Sequence, residues 1–259
     1  MLKTAVVILN WNGKELLRQF LPSVIEHSKE AEIYVIDNAS ADSSVAFLRV
    51  HYPKVKVILN EGNYGFAKGY NKGLEQIDAE VLVLLNSDVE VSSGWLNPIV
   101  HQFENELNTA IIQPKILSFH HKEYFEYAGA AGGFIDRFGF PFCRGRIFDT
   151  LEKDQQQYND ITDIFWASGA CFAIRKKVFN ELGGFDNDFF ANGSNEVAKL
   201  IKINTQKKLL TSIAGGGDTA AAIKKAKAED GFSYISTAGG AFLEWLEGKI
   251  LPGLKVLEK

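Results

Sequence analysis

The sequence is poor in the residues that mark secreted, metal-clustering or membrane-spanning proteins. Among its 259 residues only Cys143 and Cys171 are cysteines, and their spacing fits no metal site. We therefore expect two reduced thiols in a cytoplasmic protein. No apolar run approaches the roughly 18 residues of a membrane-spanning helix, and no signal peptide is expected at the start. Peripheral attachment to the inner face of a membrane is left open by this pattern.

A large excess of either charge is also missing. The net charge is -4 at pH 7, and the only Lys/Arg-rich stretches are "IRKK" and "IKKAK", at helical positions. Such stretches are typical of solvated helix faces. We therefore expect no nucleic-acid partner. The hydrophobic fraction of 46% is ordinary for a soluble globular chain, and the length fits one large domain or one domain plus a fragment.

Strand and helix patterns alternate along the first hundred residues. Short apolar runs rich in β-branched residues predict buried strands in "TAVVILN", "AEIYVIDNAS", "KVKVILNEG" and "AEVLVLLNSDVEV". Apolar residues at helical spacing follow each run, and Ser92 or Ser93 is expected to cap the fourth helix. This order predicts an α/β fold with a mostly parallel sheet and helices on both faces.

Polar residues stand where three of these strands end. Asn10, Asp37 and Asp88 each follow an apolar run. In open α/β sheets, ligands bind beyond the carboxyl ends of the strands. We therefore expect these three residues to converge on one ligand site.

Five segments resemble those of a family 2 glycosyltransferase, of the bacterial rhamnosyltransferase-like kind, over residues 1–191. They are "VVILNWNG", "VIDNASADSS", "NEGNYGFAKGYNKGL", "LLNSDVEVSSGWL" and "ASGACFAIRKKVFNELGGFD", in the order of the family. The resemblance implies a GT-A-like fold and transfer of a sugar, with inversion, from a nucleotide-diphosphate donor to an acceptor hydroxyl. A divalent cation, Mg²⁺ or Mn²⁺, would stabilise the charge of the leaving diphosphate.

The same resemblance assigns roles to individual residues. Asp88 occupies the last place of the family's Asp-x-Asp motif and is the expected metal ligand, while Asn86 stands at the first place. Asp37 is expected to accept from the base or ribose of the donor, with an Asx turn as the alternative. Trp166 and Gly169 are expected beside a saccharide or lipid-linked acceptor, although Trp166 could equally serve the core. The other residues expected on the donor side are Asn10, Asn12, Asn63, Gly65 and Asn71.

The catalytic base expected from the resemblance is missing. In the family it is the Asp of a Glu-Asp pair shortly after "GGFD…FF", and here Ser194 and Asn195 stand at those places. Glu196, one residue further on, is the remaining candidate. A neutral amide cannot act as a general base near neutral pH, and loss of such a base typically costs about 10²- to 10⁴-fold in rate. The sequence therefore predicts a donor-binding fold with impaired or altered catalysis.

A different pattern fills the rest of the chain. The segments "GSNEVAKLI", "AGGGDTAAAI", "STAGGAFLEWLEGK" and "LPGLKVL" are similar to the C-terminal end of phosphoglycerate kinase. The resemblance implies a Rossmann-like βαβα segment over residues 192–259, with the substrate lobe of the kinase absent. Two alternatives follow, a non-catalytic hybrid of two α/β pieces and a kinase-like nucleotide binder. The loop that could face phosphate consists of Gly215, Gly216, Gly217, Asp218 and Thr219.

Overall fold

The computed structural model describes residues 2–127, 130–137, 141–147, 150–186, 189–215, 223–224 and 226–236; for residues 189–197, 213, 215 and 236 it describes the backbone only. The chain divides into two compact units, Met1–Phe185 and Asp186–Lys259. Across the described ranges, every helix is too short or too polar to cross a lipid bilayer.

The first unit is built on a six-stranded sheet. Its order is β3-β2-β1-β4-β10-β5; β1 to β4 are parallel, and β10 is antiparallel to both of its neighbours. This arrangement confirms the predicted, mostly parallel α/β sheet. The elements of this unit are β1 (Thr4–Asn10), α1 (Lys14–His27), β2 (Glu32–Asp37), α2 (Ser44–His51), β3 (Lys56–Leu59), α3 (Gly65–Leu74), β4 (Val81–Leu85), α4 (Leu96–Asn105), β5 (Ile111–Ile112), β6 (Gly133–Ile135), β7 (Pro141–Cys143), β8 (Arg146–Ile147), β9 (Thr150–Leu151), β10 (Cys171–Arg175) and α5 (Lys176–Glu181).

The core lies on both faces of this sheet. Alternate residues of β1 face opposite sides, so Val6 packs in the cluster that includes residues of α1 and α4, while Val7 packs in the cluster that includes residues of α3. Double-sided burial explains the unbroken apolar runs of the strands. Tyr70 of α3 is fully buried, with its hydroxyl 3.4 Å from the carbonyl oxygens of Val7 and Leu85. Burial raises the pKa of the Tyr70 hydroxyl, so this side chain stays neutral.

Helix α4 begins later than its sequence pattern indicates. Trp95 precedes the helix, and no side chain caps its first turn. Gly94 adopts a left-handed backbone with φ of 73°, which turns the chain between the two serines and the helix. The prediction that Ser92 or Ser93 caps this helix is therefore wrong.

The other end of α4 is closed by Arg175. Its guanidinium donates to the carbonyl oxygens of Thr109 at 2.7 Å, Phe103 at 2.6 Å and Glu106 at 3.1 Å. It also lies 4.9 Å from the centroid of the Phe103 ring. A cation at a helix C-terminus satisfies carbonyl groups that the helix leaves unpaired and complements its dipole.

We expect Arg175→Ala to lower the free energy of unfolding by about 2 kcal/mol, because hydrogen bonds to a charged donor are lost and carbonyl groups lose their partner. Equilibrium denaturation in urea measures this change. Lys177→Ala is the matched control, since the Lys177 side chain is 85% exposed and should change little. Equal stability of the two variants would contradict the capping role of Arg175.

A segment of short hairpins lies between β5 and β10. It holds the antiparallel pairs β6–β7 and β8–β9, as the Gly- and aromatic-rich sequence suggests. Lys115, near its start, forms an ion pair with Asp154 at 2.5 Å and donates a hydrogen bond to Asn159 at 2.7 Å, both in the loop after β9. The hydrogen bond from Lys115 lowers the pKa of the Asp154 carboxyl. This pair therefore stabilises the segment at neutral pH and is lost as the pH falls through the pKa of Asp154 in the folded state.

The second unit contains α6 (Phe189–Gln206), β11 (Ile213–Gly215), a short 3-10 helix (Glu229–Gly231) and β12 (Tyr234–Ser236). Strands β11 and β12 are parallel. Its described core is small, with Ala198, Ala214, Ile223 and Ala228 buried together. The division after Phe185 precedes the boundary predicted after Ala191, a position that lies within the continuous helix α6.

Candidate functional site

The loops after β1, β2 and β4 leave the sheet at one edge. Asn10 and Asp37 are register partners at the ends of β1 and β2. Leu85 at the end of β4 is opposite Ile8, two residues before the end of β1. The next residue, Asn86, donates its backbone N–H to Ala170 at 2.9 Å, which adds the segment before β10 to this edge. The structure thus brings together the strand ends that the sequence singles out.

Asp37 is the centre of a buried hydrogen-bond network. Its side chain is 2% exposed. Oδ1 accepts from Asn10 Nδ2 at 2.9 Å and from the Ser40 hydroxyl at 2.7 Å, and Oδ2 accepts from the Ser40 backbone N–H at 2.8 Å. A carboxylate offers about four acceptor positions, so one position on Oδ2 is left over. The Asx turn and a ligand contact are therefore compatible at Asp37.

This network fixes the orientation of the Asn10 amide. Nδ2 donates to Asp37 and, at 3.1 Å, to Ser40 Oγ, so Oδ1 must point away from the carboxylate. Oδ1 of Asn10 is buried and has no hydrogen-bond partner. It borders Gly13, where an added Cβ would lie 2.5 Å from Asn10 Oδ1 and 3.9 Å from Ser87 Oγ. Leaving a buried acceptor unpaired costs about 1–3 kcal/mol, so a donor group placed at this atom would be stabilising.

Gly13 is expected to be intolerant of a side chain. Gly13→Ala places a methyl group against Asn10 Oδ1, and we expect a loss of about 1–3 kcal/mol in the free energy of unfolding as the amide is displaced. Gly62→Ala is the matched control, because the nearest atoms to its added Cβ are 3.8 Å away, an ordinary contact. Thermal denaturation of both variants measures the difference. Equal melting temperatures would show that the Asn10 amide is not held in this place.

Asn12 joins the loop after β1 to the loop after β2. Its backbone is left-handed, with φ of 52°, and its Oδ1 accepts the backbone N–H of Ala41 at 2.7 Å. Its own N–H donates to Ser40 Oγ at 2.8 Å. Asp42 accepts from the N–H groups of Lys14 and Ser44. Although burial opposes ionisation of Asp42, these hydrogen bonds and that of the Ser44 hydroxyl hold the pKa of its carboxyl below the usual value.

A row of amide side chains positions the start of α3. Asn60 Nδ2 donates to Asn38 Oδ1 at 2.8 Å, and Asn38 Nδ2 donates to the Gly65 carbonyl at 2.9 Å. Asn63 Oδ1 accepts the Gly65 N–H at 3.0 Å. Gly65 has φ of 72°, which suits the absence of a side chain. Asn63 and Gly65 therefore lie at the same edge as Asp37, with their polar groups engaged locally.

The turn Asn86–Asp88 follows β4 directly. Asn86 and Ser87 are half-buried, and Asp88 is exposed. Within the described ranges, no group of three His, Cys, Asp or Glu side chains could hold a metal by itself. One exposed carboxylate at a strand end suits a cation that arrives with a diphosphate, because Mg²⁺ is commonly held by one or two carboxylates and substrate phosphates.

Trp166 lies against the hairpin segment. Its indole N–H donates to the Phe134 carbonyl at 3.0 Å, and a Cβ on Gly133 would overlap its ring. These contacts show that the Trp166 side chain packs against the hairpin segment. Gly169 is exposed, and an added Cβ there would lie 3.4 Å from Cζ of Phe66. The two residues expected on the acceptor side therefore differ in surroundings, and Gly169 is the more open of them.

Asn71 makes a two-way contact with a residue 114 positions away. Its Nδ2 donates to the Phe185 carbonyl and its Oδ1 accepts the Phe185 N–H, both at 2.8 Å. Gly184, with φ of 82°, approaches the Asn71 amide so closely that a Cβ would overlap it. These contacts anchor the end of the first unit to α3. Asn71 therefore has a structural role that the sequence does not suggest.

The remaining expected residues lie in the second unit. Glu196 is in α6, in the part (residues 189–197) for which only the backbone is described. Gly215 ends β11. Gly216, Gly217, Asp218 and Thr219 lie outside the described residues.

Two residues at this edge of the sheet, Ser40 and Trp11, occupy positions in the site that the sequence alone does not indicate. Ser40 links Asp37, Asn10 and the Asn12 backbone. Trp11 lies between two residues of the site and is 56% exposed. Its signal in the sequence is an aromatic residue placed after a strand rather than within its apolar run.

The profile of the family described as Glycosyl transferase family 2 matches residues 5–183, and that of Phosphoglycerate kinase matches residues 175–249. A phosphoglycerate kinase from Chelativorans sp. is 55% identical over 78 residues, which are 30% of this chain and 20% of the kinase. One from Sinorhizobium fredii is 40% identical over 133 residues, 51% of this chain and 31% of the kinase. The chain thus spans only a minor part of these curated relatives.

A mannosyltransferase from Pyrobaculum calidifontis, solved in complex with GDP-Man and Mn²⁺, shares the fold with a TM-score of 0.50. The two are 14% identical, and the match covers 78% of this chain and 52% of that chain. At this identity the likeness concerns the fold, and it confirms the predicted GT-A-like architecture.

Proposed function

The chain belongs to glycosyl transferase family 2 through residues 5–183, and we propose that it binds a nucleotide-diphosphate sugar at the carboxyl edge of its sheet for transfer to an acceptor hydroxyl. The main support for this proposal is that two parts of the site both lie near Gly13. They are the Asn10–Asp37 network and the turn that contains Ser87. The unpaired acceptor Asn10 Oδ1 and the remaining position on Asp37 Oδ2 offer two hydrogen bonds to a polar ligand, and the exposed Asp88 follows Ser87 directly in the chain.

The nucleoside is proposed to bind beside β1 and β2. Asp37 Oδ2 has one acceptor position left, and Asn10 Oδ1 lacks a donor, so both suit a base N–H or a ribose hydroxyl. Trp11 is exposed on the adjoining loop and offers a ring on which a base can stack. Stacking of a base on an aromatic side chain contributes about 1–3 kcal/mol. Asn12 supports the loop beneath this contact.

The diphosphate is proposed to bind at the turn after β4. Asp88 would hold Mg²⁺ or Mn²⁺ together with phosphate oxygens, and Asn86 would accept from the ribose or bind through its carbonyl. The cation would neutralise charge on the leaving diphosphate. The mannosyltransferase that shares this fold was solved with GDP-Man and Mn²⁺, which supports a metal-assisted donor site here.

The acceptor, a saccharide or a lipid-linked saccharide, is proposed to approach on the Gly169 side, where the backbone is open. Inverting transfer requires a carboxylate within hydrogen-bond reach of the acceptor hydroxyl. Ser194 and Asn195 stand where the family has its Glu-Asp pair, and Glu196 is the candidate that remains. We therefore expect donor binding with transfer slowed by about 10²- to 10⁴-fold relative to an enzyme that retains the base.

The kinase-like tail is proposed to serve as structure rather than as a phosphotransfer site. It corresponds to about a fifth of a phosphoglycerate kinase of the Chelativorans type, without the lobe that would bind the second substrate. The second candidate is therefore a non-catalytic hybrid of two α/β pieces, and the small share of the kinase in this chain favours it. With either function, the protein is proposed to act in the cytoplasm or at the inner face of a membrane.

Calorimetric titration tests the proposal. UDP, GDP and dTDP are each titrated into the full chain with Mn²⁺ and again with EDTA. We expect at least one to bind in the micromolar range only when Mn²⁺ is present. The absence of binding by all three, in protein that unfolds cooperatively, would remove the glycosyltransferase proposal. Binding that EDTA leaves unchanged would remove its metal dependence.

A further inference from the structure

Phe66 is an aromatic side chain that the core does not enclose. It lies on the first turn of α3 and is 44% exposed, whereas Tyr70, one turn later, is fully buried. An exposed aromatic ring at the ligand-binding edge of a sheet is a common element of a small-molecule site.

Two neighbouring aromatic rings, those of Tyr70 and Phe185, hold the Phe66 ring in place. Its centroid lies 5.0 Å from that of Tyr70, edge-on at 74°, and 5.7 Å from that of Phe185. Asn71 fixes the Phe185 backbone through two hydrogen bonds. Phe66 is therefore presented as a rigid surface, which lowers the entropy lost when a ligand contacts it.

Gly169, which has no side chain, lies beside the edge of the Phe66 ring. An added Cβ on Gly169 would lie 3.4 Å from Cζ of Phe66. The backbone carbonyl of the following residue, Ala170, accepts the N–H of Asn86 at 2.9 Å. Asn86 is the first residue of the turn that ends at Asp88. The space beside Phe66 and Gly169 therefore adjoins the place proposed for the diphosphate.

We propose that Phe66 and Gly169 form the wall against which the transferred sugar lies, between the diphosphate and the acceptor that approaches on the Gly169 side, and that they determine which sugars are transferred. This inference rests on the proposed donor binding. A pyranose has C–H groups that make favourable contacts with an aromatic ring. Gly169 places no side chain against the edge of the ring, and Phe66 stays 44% exposed, so the wall suits a sugar that presents an apolar face.

The test compares each nucleotide with its own sugar derivative. GDP and GDP-mannose, UDP and UDP-N-acetylglucosamine, and dTDP and dTDP-glucose are titrated with Mn²⁺ into wild-type protein and Phe66→Ala. For a pair that binds, the affinity ratio of the sugar derivative to the free nucleotide should fall about tenfold in Phe66→Ala. The affinity for the free nucleotide should stay within about twofold, and Phe66→Leu should give an intermediate ratio.

Phe47→Ala is the matched control. Phe47 is a partly buried aromatic residue of α2 that packs with the core on the other face of the sheet, so its ratio should equal that of wild type. An unchanged ratio in Phe66→Ala would overturn the sugar wall, even if the nucleotide binds as proposed. Failure of the wild type to bind any nucleotide would instead overturn the donor site, and the sugar wall with it.

Discussion

Asp37→Ala is expected to lower the free energy of unfolding by roughly 3 kcal/mol. The substitution removes an acceptor of three hydrogen bonds at a position that is 2% exposed. The buried Asn10 Nδ2 would keep only Ser40 Oγ at 3.1 Å, and the half-buried Ser40 N–H would lose its acceptor; an unmet buried group costs about 1–3 kcal/mol. The loops after β1 and β2 would then be joined mainly by the contacts of Asn12. Urea denaturation of the variant and the wild type measures the loss.

Asp78→Ala is the control for this experiment. The Asp78 side chain is 95% exposed and pairs with Lys3, and pairs of this kind contribute little in water. We expect nearly wild-type stability for Asp78→Ala. If Asp37→Ala were as stable as Asp78→Ala, the buried network at the strand edge would not exist as described.

Asp88→Ala should have the largest effect on ligand binding. Asp88 is exposed, so we expect the melting temperature of the free protein to change little. Loss of a direct metal ligand should cost at least as much as loss of the groups that orient such ligands, which is about 10- to 100-fold. We therefore expect the Mn²⁺-dependent affinity for the nucleoside diphosphate to fall on the order of 100-fold. Titration calorimetry with the nucleotide that binds the wild type gives this value.

Asp88→Asn and Asp78→Asn complete this series. Asp88→Asn keeps the size of the side chain but removes its charge, and should weaken binding nearly as much as the alanine variant. Asp78 lies before β4, at the other end of the strand, so Asp78→Asn should bind as the wild type does. Full Mn²⁺-dependent binding by Asp88→Ala would place the cation elsewhere.

Much of the first unit could be predicted from the sequence because buried parallel strands leave an unambiguous pattern. The apolar run of β1 is covered on both faces, and this double burial is what the unbroken run of Val, Ile and Leu indicates. The expected meeting of Asn10 and Asp37 is confirmed by their register. Strand ends are predictable because parallel strands bring their carboxyl ends to one edge.

Contacts between distant parts of the chain could not be predicted in this way. The double hydrogen bond of Asn71 to Phe185 joins residues 114 positions apart, and neither residue carries a local signal of it. The late start of α4 depends on the left-handed backbone of Gly94, which competes with the serine caps. Ser40 is an ordinary turn residue in the sequence, and only the fold brings it between Asp37, Asn10 and Asn12.

Paramagnetic broadening by Mn²⁺ shows whether the cation and the diphosphate bind at the carboxyl edge of the sheet. Backbone amide signals of the full chain are recorded by nuclear magnetic resonance with the nucleoside diphosphate that binds, before and after a small amount of Mn²⁺ is added. If the cation binds at the turn after β4, broadening is strongest for Asp88 and its neighbours and extends to Asn12 and Ser40. Broadening centred in the second unit, with the signals of Asp88 and Ser40 left sharp, would contradict it.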